Sequence, residues 1–169
     1  MLKKIGLALL VVLIAIQFIP YETNESNDNQ HHISQSYDMP DNISVLLDNA
    51  CYNCHSNKSE YPWYAHLEPI GLWLNSHITD GKRSLNFSEF TNRPLAYQNH
   101  KLDETIELVE SKEMPLESYT YFGLHPEGDL TESQRNEIIE WAKAQMDYLK
   151  ATYPADSLVM KRRGPPPGQ

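Results

Sequence analysis

The chain has 169 residues, 40% of them hydrophobic, and carries a net charge of −9 from 14 Lys and Arg against 23 Asp and Glu. That length holds one domain of ordinary size with terminal extensions. So acidic a balance excludes nucleic-acid binding, which needs clustered Lys and Arg against phosphates, and suits instead a soluble surface or the steering of a basic partner.

Lys3 and Lys4 precede an apolar run from Ile5 to Ile19 that only Gln17 interrupts. As a helix such a run rises about 22 Å, against a hydrocarbon core of about 30 Å, so its length suits a signal segment or a short anchor. Gln17-Phe18-Ile19-Pro20 lacks a small-Xaa-small cleavage pattern. Residues 1–20 are therefore expected to form an uncleaved signal-anchor, a single transmembrane helix in the cytoplasmic (inner) membrane with the rest of the chain in the periplasm. Cleavage would leave a soluble periplasmic domain instead. Residues 21–40 are almost wholly polar, including His31-His32, and read as a flexible tether.

Residues 41–153 form the domain proper. Asp41 or Asn42 caps a short helix through Ile43, Leu46, Leu47 and Ala50. It runs into Cys51-Tyr52-Asn53-Cys54-His55, which contains the only two cysteines of the chain. On a helix the positions i, i+3 and i+4 share a face, so two thiolates can meet the two vinyl edges of one porphyrin while His55 turns an imidazole nitrogen to the iron. Cys-Xaa-Xaa-Cys-His is the attachment signature of a c-type haem. Two other readings of the cysteines remain: a thioredoxin-like dithiol, which needs a βαβ unit that the sequence does not suggest, and a zinc site, for which no His-Xaa3–5-His pair follows.

After the aromatic stretch Tyr61-Pro62-Trp63-Tyr64, a second helix is predicted over 68–80, with Pro69 in its first turn and Gly81 at its end. Residues 85–93 are irregular. A third helix spans 94–111, striped by Leu95, Leu102, Ile106 and Val109. Residues 114–129 hold two prolines and two glycines and form a loop. Thr131 caps the last helix, with Gln134 completing a capping box and Ile138, Ala142, Met146 and Leu149 as its buried face. No strand pattern is evident, so the fold class is all-α. Residues 154–169, ending in Lys161-Arg162-Arg163-Gly164 and three prolines, read as a disordered tail.

Four helices around one covalent haem resemble a class I cytochrome c, in which the first and last helices cross and the loop before the last helix carries the sixth iron ligand. Met114, before Pro115 in that loop, is the leading candidate, since a thioether is a soft donor that favours ferrous iron. His125 in the same loop is the rival. Trp63, Tyr64 and Trp73 are candidates to pack on the porphyrin. Lys82, Arg83 and Arg93 are candidates to pair with its propionates, and a backbone carbonyl near Pro62 or Pro69 is expected to hold the second nitrogen of His55.

The segments Cys51-Tyr-Asn-Cys-His-Ser-Asn, Tyr61-Pro-Trp-Tyr64, Leu85-Asn-Phe-Ser-Glu89, Glu113-Met-Pro-Leu-Glu-Ser-Tyr119 and Leu124-His-Pro-Glu127, in this order, resemble the exported bacterial haem-binding domain family. The resemblance covers residues 43–144 and implies a membrane-anchored or periplasmic protein with a single c-type haem at Cys51, Cys54 and His55. The expected cofactor is one haem c, ligated by His55 and Met114. With both axial positions filled, the expected role is one-electron transfer with redox partner proteins and no enzymatic activity. No nucleophile–base pair, carboxylate pair or phosphate loop is evident. A haem-based sensor or ligand-binding module with a displaceable sixth ligand is the alternative, as is an accessory subunit of a respiratory complex.

Overall fold

The structure, a computed structural model, describes residues 1–161. Six α-helices follow in chain order: α1 (Leu2–Ile16), α2 (Asp41–Leu47), α3 (Asn53–His55), α4 (Ile70–Ser84), α5 (Leu95–Glu110) and α6 (Glu132–Thr152). Short 3-10 turns connect them, and among the described residues extended pairing is confined to two isolated bridges.

Helix α1 is apolar on every side after Lys3 and Lys4 and buries none of its residues. It ends at Ile16, and Gln17, still in helical conformation at the C-cap, ties this end to the domain. The side-chain amide of Gln17 donates to the carbonyl of Glu68 at 2.9 Å and its carbonyl accepts from the Glu68 amide at 3.1 Å. Among the described residues no helix is long and apolar enough to cross a membrane. The expected transmembrane signal-anchor is thereby overturned, and so is the inner-membrane location that rested on it. Fifteen residues of helix stop several ångströms short of the hydrocarbon thickness.

Residues 21–40 also depart from expectation. The tether is a strap packed across the domain, with Ile33 wholly buried and Tyr37 buried beside Phe90. Its polar composition is used in pairing. The Asn24 side chain donates to the Ser56 carbonyl and to Ser59 Oγ, the Ser26 amide to Asn57, and the Ile33 amide to Phe87. Asn, Ser and His read as solvated when counted by type, yet here their amides and hydroxyls satisfy loop backbone that would otherwise be buried unpaired.

The core lies between α5 and α6, the most extensive helix pair, with α2 laid against α6. Leu47, Leu102, Ile138, Ala142 and Leu149 are buried there, each large aliphatic side chain contributing about 1.5–3 kcal/mol by leaving water. The Trp141 indole donates to the Asp38 carbonyl at 2.8 Å, closing the strap onto α6. Thr131 and Gln134 form the anticipated capping box. Past the end of α6, Leu158 joins the same core and its carbonyl accepts from Asn99. The expected tail is therefore pinned at Leu158, with Val159 and Met160 exposed beyond it, and residues 162–169 lie outside the described residues.

Two predicted helix boundaries move. Pro40, not Asp41 or Asn42, stands at the N-cap of α2, and α4 runs on through Gly81 to Ser84. Gly81 is needed for closeness rather than for a helix end: a Cβ built on it would lie 2.6 Å from the Cys54 carbonyl oxygen. The glycine lets α4 pack against α3, which carries the second cysteine.

Candidate haem site

The signature does not sit on a regular helix. A single π-helical turn, Asp48–Tyr52, follows α2 and passes directly into α3. Such wide turns recur at functional sites because they re-aim side chains without ending the helix. The result is that Cys51, Cys54 and His55 all face one cavity of about 700 Å³, within the ~300–1,000 Å³ range of cofactor and ligand pockets.

Helices α4 and α5 and the segment 114–130 supply the other walls, largely apolar: Trp73, Leu74, Leu85, Leu108, Val109 and Leu130 among them. Trp63, Trp73 and Tyr64 line it, with Trp63 largely exposed and Trp73 about half exposed. All three candidate aromatic residues are thus brought to the cavity.

His55 is oriented from behind. Its Nδ1 lies 3.0 Å from the carbonyl oxygen of Leu85, at the C-terminal end of α4. The partner is therefore Leu85 and neither Pro62 nor Pro69, since α4 folds back over the motif and delivers its last turn to the imidazole. Donation from Nδ1 fixes the tautomer and leaves the Nε2 lone pair available to a metal. Burial lowers the pKa of His55, opposed by the carbonyls of Leu85 and Gly81 and reinforced by the charge of Lys101. The ring is kept neutral, as iron ligation requires. The peptide carbonyl of His55 accepts from Phe87 at 2.7 Å, and the carbonyl of Phe87 accepts from Ile33 at 2.9 Å. The strap thus braces His55 through two hydrogen bonds.

Cys51 and Cys54 are not joined in a disulfide. Burial, with Cys54 nearby, pushes Cys51 up to about 12, and burial pushes Cys54 up to about 11. A redox dithiol works through a lowered thiol pKa, so this apolar setting is wrong for thioredoxin-like exchange. Among the described residues no group of three or more His, Cys, Asp and Glu gathers to hold a metal ion, so no further protein donors complete a zinc site around the pair. The setting fits a haem: an apolar cavity, two sulfurs in its wall and an oriented neutral imidazole.

Met114 lines the cavity and its backbone is held twice. Its amide donates to the Leu108 carbonyl at 3.0 Å, and its carbonyl accepts from Arg135 Nη1 of α6 at 2.7 Å. His125 lines the same cavity, but both its ring nitrogens have partners: Nε2 lies 2.6 Å from the Tyr64 hydroxyl and Nδ1 3.0 Å from Glu127 Oε1. Tyr119 stacks flat on the ring, 4.4 Å between centroids. That network was not legible in the sequence, nor was the role of Arg135, because each joins residues far apart in the chain.

The three cations picked from the sequence are occupied elsewhere. Lys82 donates to Asn24, Arg83 forms an exposed pair with Asp80, and Arg93 lies over the Tyr97 ring. His66 and His100 are exposed, and His77 hydrogen-bonds to the carbonyl of Trp73 in its own helix.

The description of one family, the haem-binding domain, matches the chain over residues 11–144. The chain belongs to the haem-binding domain family. The match begins well before the signature and takes in the whole strap, in keeping with the bracing of His55 by Phe87 and Ile33. Haem is accordingly the cofactor, and the cavity that collects Cys51, Cys54 and His55 is the place in this haem-binding domain where the residues suit it. No curated protein and no solved structure matches the chain.

Proposed function

We propose that the protein is a single-haem cytochrome of the c type that transfers one electron at a time. The observation that carries this reading is the convergence of Cys51, Cys54 and a carbonyl-oriented His55 on one apolar cavity. When bound, the haem supplies an iron that cycles between ferric and ferrous states. Cys51 and Cys54 would tether it, their thiols adding across the two vinyl groups to give thioethers, and His55, held by the Leu85 carbonyl, would offer Nε2 to the iron.

In this reading Met114 would offer its thioether sulfur as the second iron ligand. It stands in the cavity wall on backbone fixed by Leu108 and Arg135, whereas ligation by His125 would require the Tyr64 hydrogen bond to Nε2 to be given up. Electron transfer asks the protein to keep both axial positions filled and the ring shielded from water, and the apolar walls do the second. Redox partner proteins would supply and accept the electron.

The test is a spectroelectrochemical titration followed by carbon monoxide addition to the reduced protein. A single one-electron wave with a low-spin spectrum that carbon monoxide leaves unchanged supports electron transfer. Rapid, complete conversion to a carbonyl complex would make the protein a ligand-binding module instead.

A further inference from the structure

Lys101 is the one Lys or Arg side chain in the wall of the cavity among the described residues. It projects from α5, and its side chain is only 12% exposed, whereas the Lys and Arg of the exposed ion pairs elsewhere are 52 to 76% exposed. A sunken ammonium is costly unless it is well paired. Among the described residues Lys101 has one hydrogen-bond partner, Glu104 on the next turn, and that carboxylate is itself half-exposed and shared with His100. The Tyr97 ring, 5.6 Å from the ammonium, closes its other side. An ammonium has three N–H donors, so the groups around Lys101 leave capacity facing a cavity whose occupant carries two carboxylates.

Resting on the reading that haem fills this cavity, we propose that Lys101 recognises one haem propionate. The charged and titratable groups on its side of the cavity are Glu104 and His100 of α5 and His77 and Asp80 of α4, the last turned outward to Arg83. None of them is a permanent cation, so among the described residues Lys101 is the one fixed positive charge in the cavity wall for the propionate. A charge-assisted bond to a carboxylate is short and strong in a low-dielectric wall. The same cation favours the electron-richer ferrous state, so Lys101 both seats the ring and raises its potential.

The experiment uses the full chain carrying haem labelled with 13C at the propionates and compares Lys101→Met with the exposed control Lys143→Met. Redox difference infrared spectra and equilibrium redox titrations are recorded on each. The expected result is a shifted propionate band and at least a tenfold shift of the reduction equilibrium toward ferric iron in Lys101→Met, equal to 59 mV for a one-electron couple. The control should change neither. Unchanged propionate bands and potential in a haem-loaded Lys101→Met protein overturn the assignment. Should that variant not retain haem, Lys101→Arg carries the test, because a planar guanidinium fork replaces the compact ammonium and changes the bond to the carboxylate. A moved band then supports the contact and an unmoved one overturns it. Failure of the haem reading itself would show separately, as wild-type protein without a haem spectrum.

Discussion

Replacing Gly81 by alanine sets two measurable effects against each other. In an unobstructed helix the change gains about 1 kcal/mol of helix propensity. Here the new methyl would lie 2.6 Å from the Cys54 carbonyl oxygen and 3.2 Å from both the carbonyl carbon and the Cβ of Cys54. Ordinary contact is about 3.5–4.0 Å, so α4 must withdraw from α3 by roughly 1 Å. The obstacle is backbone and has no rotamer in which to escape, and overpacking of this kind costs about 1–3 kcal/mol. The net expectation is a loss of about 0–2 kcal/mol where propensity alone gives a gain. The strain is local to the site, because Leu85 at the end of α4 holds His55. Gly81→Ala should therefore also broaden or shift the low-spin haem spectrum. Denaturant unfolding of haem-loaded protein, with Gly6→Ala as the unobstructed control, reads the first effect, and visible spectroscopy reads the second. A Gly81→Ala protein more stable than wild type with an identical spectrum would refute the close packing of α4 on the motif.

Ile33→Ala should cost about 2–5 kcal/mol in unfolding free energy, the usual loss for a fully buried aliphatic side chain, whereas a free tether would lose nothing. Met114→Ala should retain haem, lower the potential and make the ferrous protein take up carbon monoxide. His125→Ala should alter none of these, since its ring is bound to Tyr64 and Glu127; the opposite pattern in the two variants would exchange their roles. Arg135→Ala should reproduce a weakened form of the Met114 phenotype by freeing the Met114 carbonyl, read as a partial carbon monoxide response.

What the sequence makes legible is local. The capping box at Thr131 and Gln134, the buried face of α6 and the extent of α5 follow from spacings of three and four residues, which act within one helix. The candidate cofactor residues could be picked out for the same reason, since Cys51, Cys54 and His55 lie within five positions. What stayed hidden depends on chain reversal. The carbonyl of Leu85 reaches His55 across 30 positions, nearer prolines do not, and Gly81 is spent on contact with Cys54 although a glycine near a helix end usually signals termination. The strap was missed because average polarity describes residues 21–40 poorly. Two buried side chains, Ile33 and Tyr37, and a set of amide hydrogen bonds are enough to seat it. The N-terminal run misled in the opposite way: its composition is that of an anchor, but the helix ends at Ile16, where Gln17 bonds to the Glu68 backbone.

The most direct test of a covalent haem at Cys51 and Cys54 is the intact mass of the denatured protein, produced together with a cytochrome c maturation system. The mass should equal the polypeptide plus one haem, survive acid–acetone extraction, and fall to the bare polypeptide in the Cys51→Ala, Cys54→Ala double variant. A wild-type chain that gives up all its colour on extraction and shows only the polypeptide mass would contradict the account.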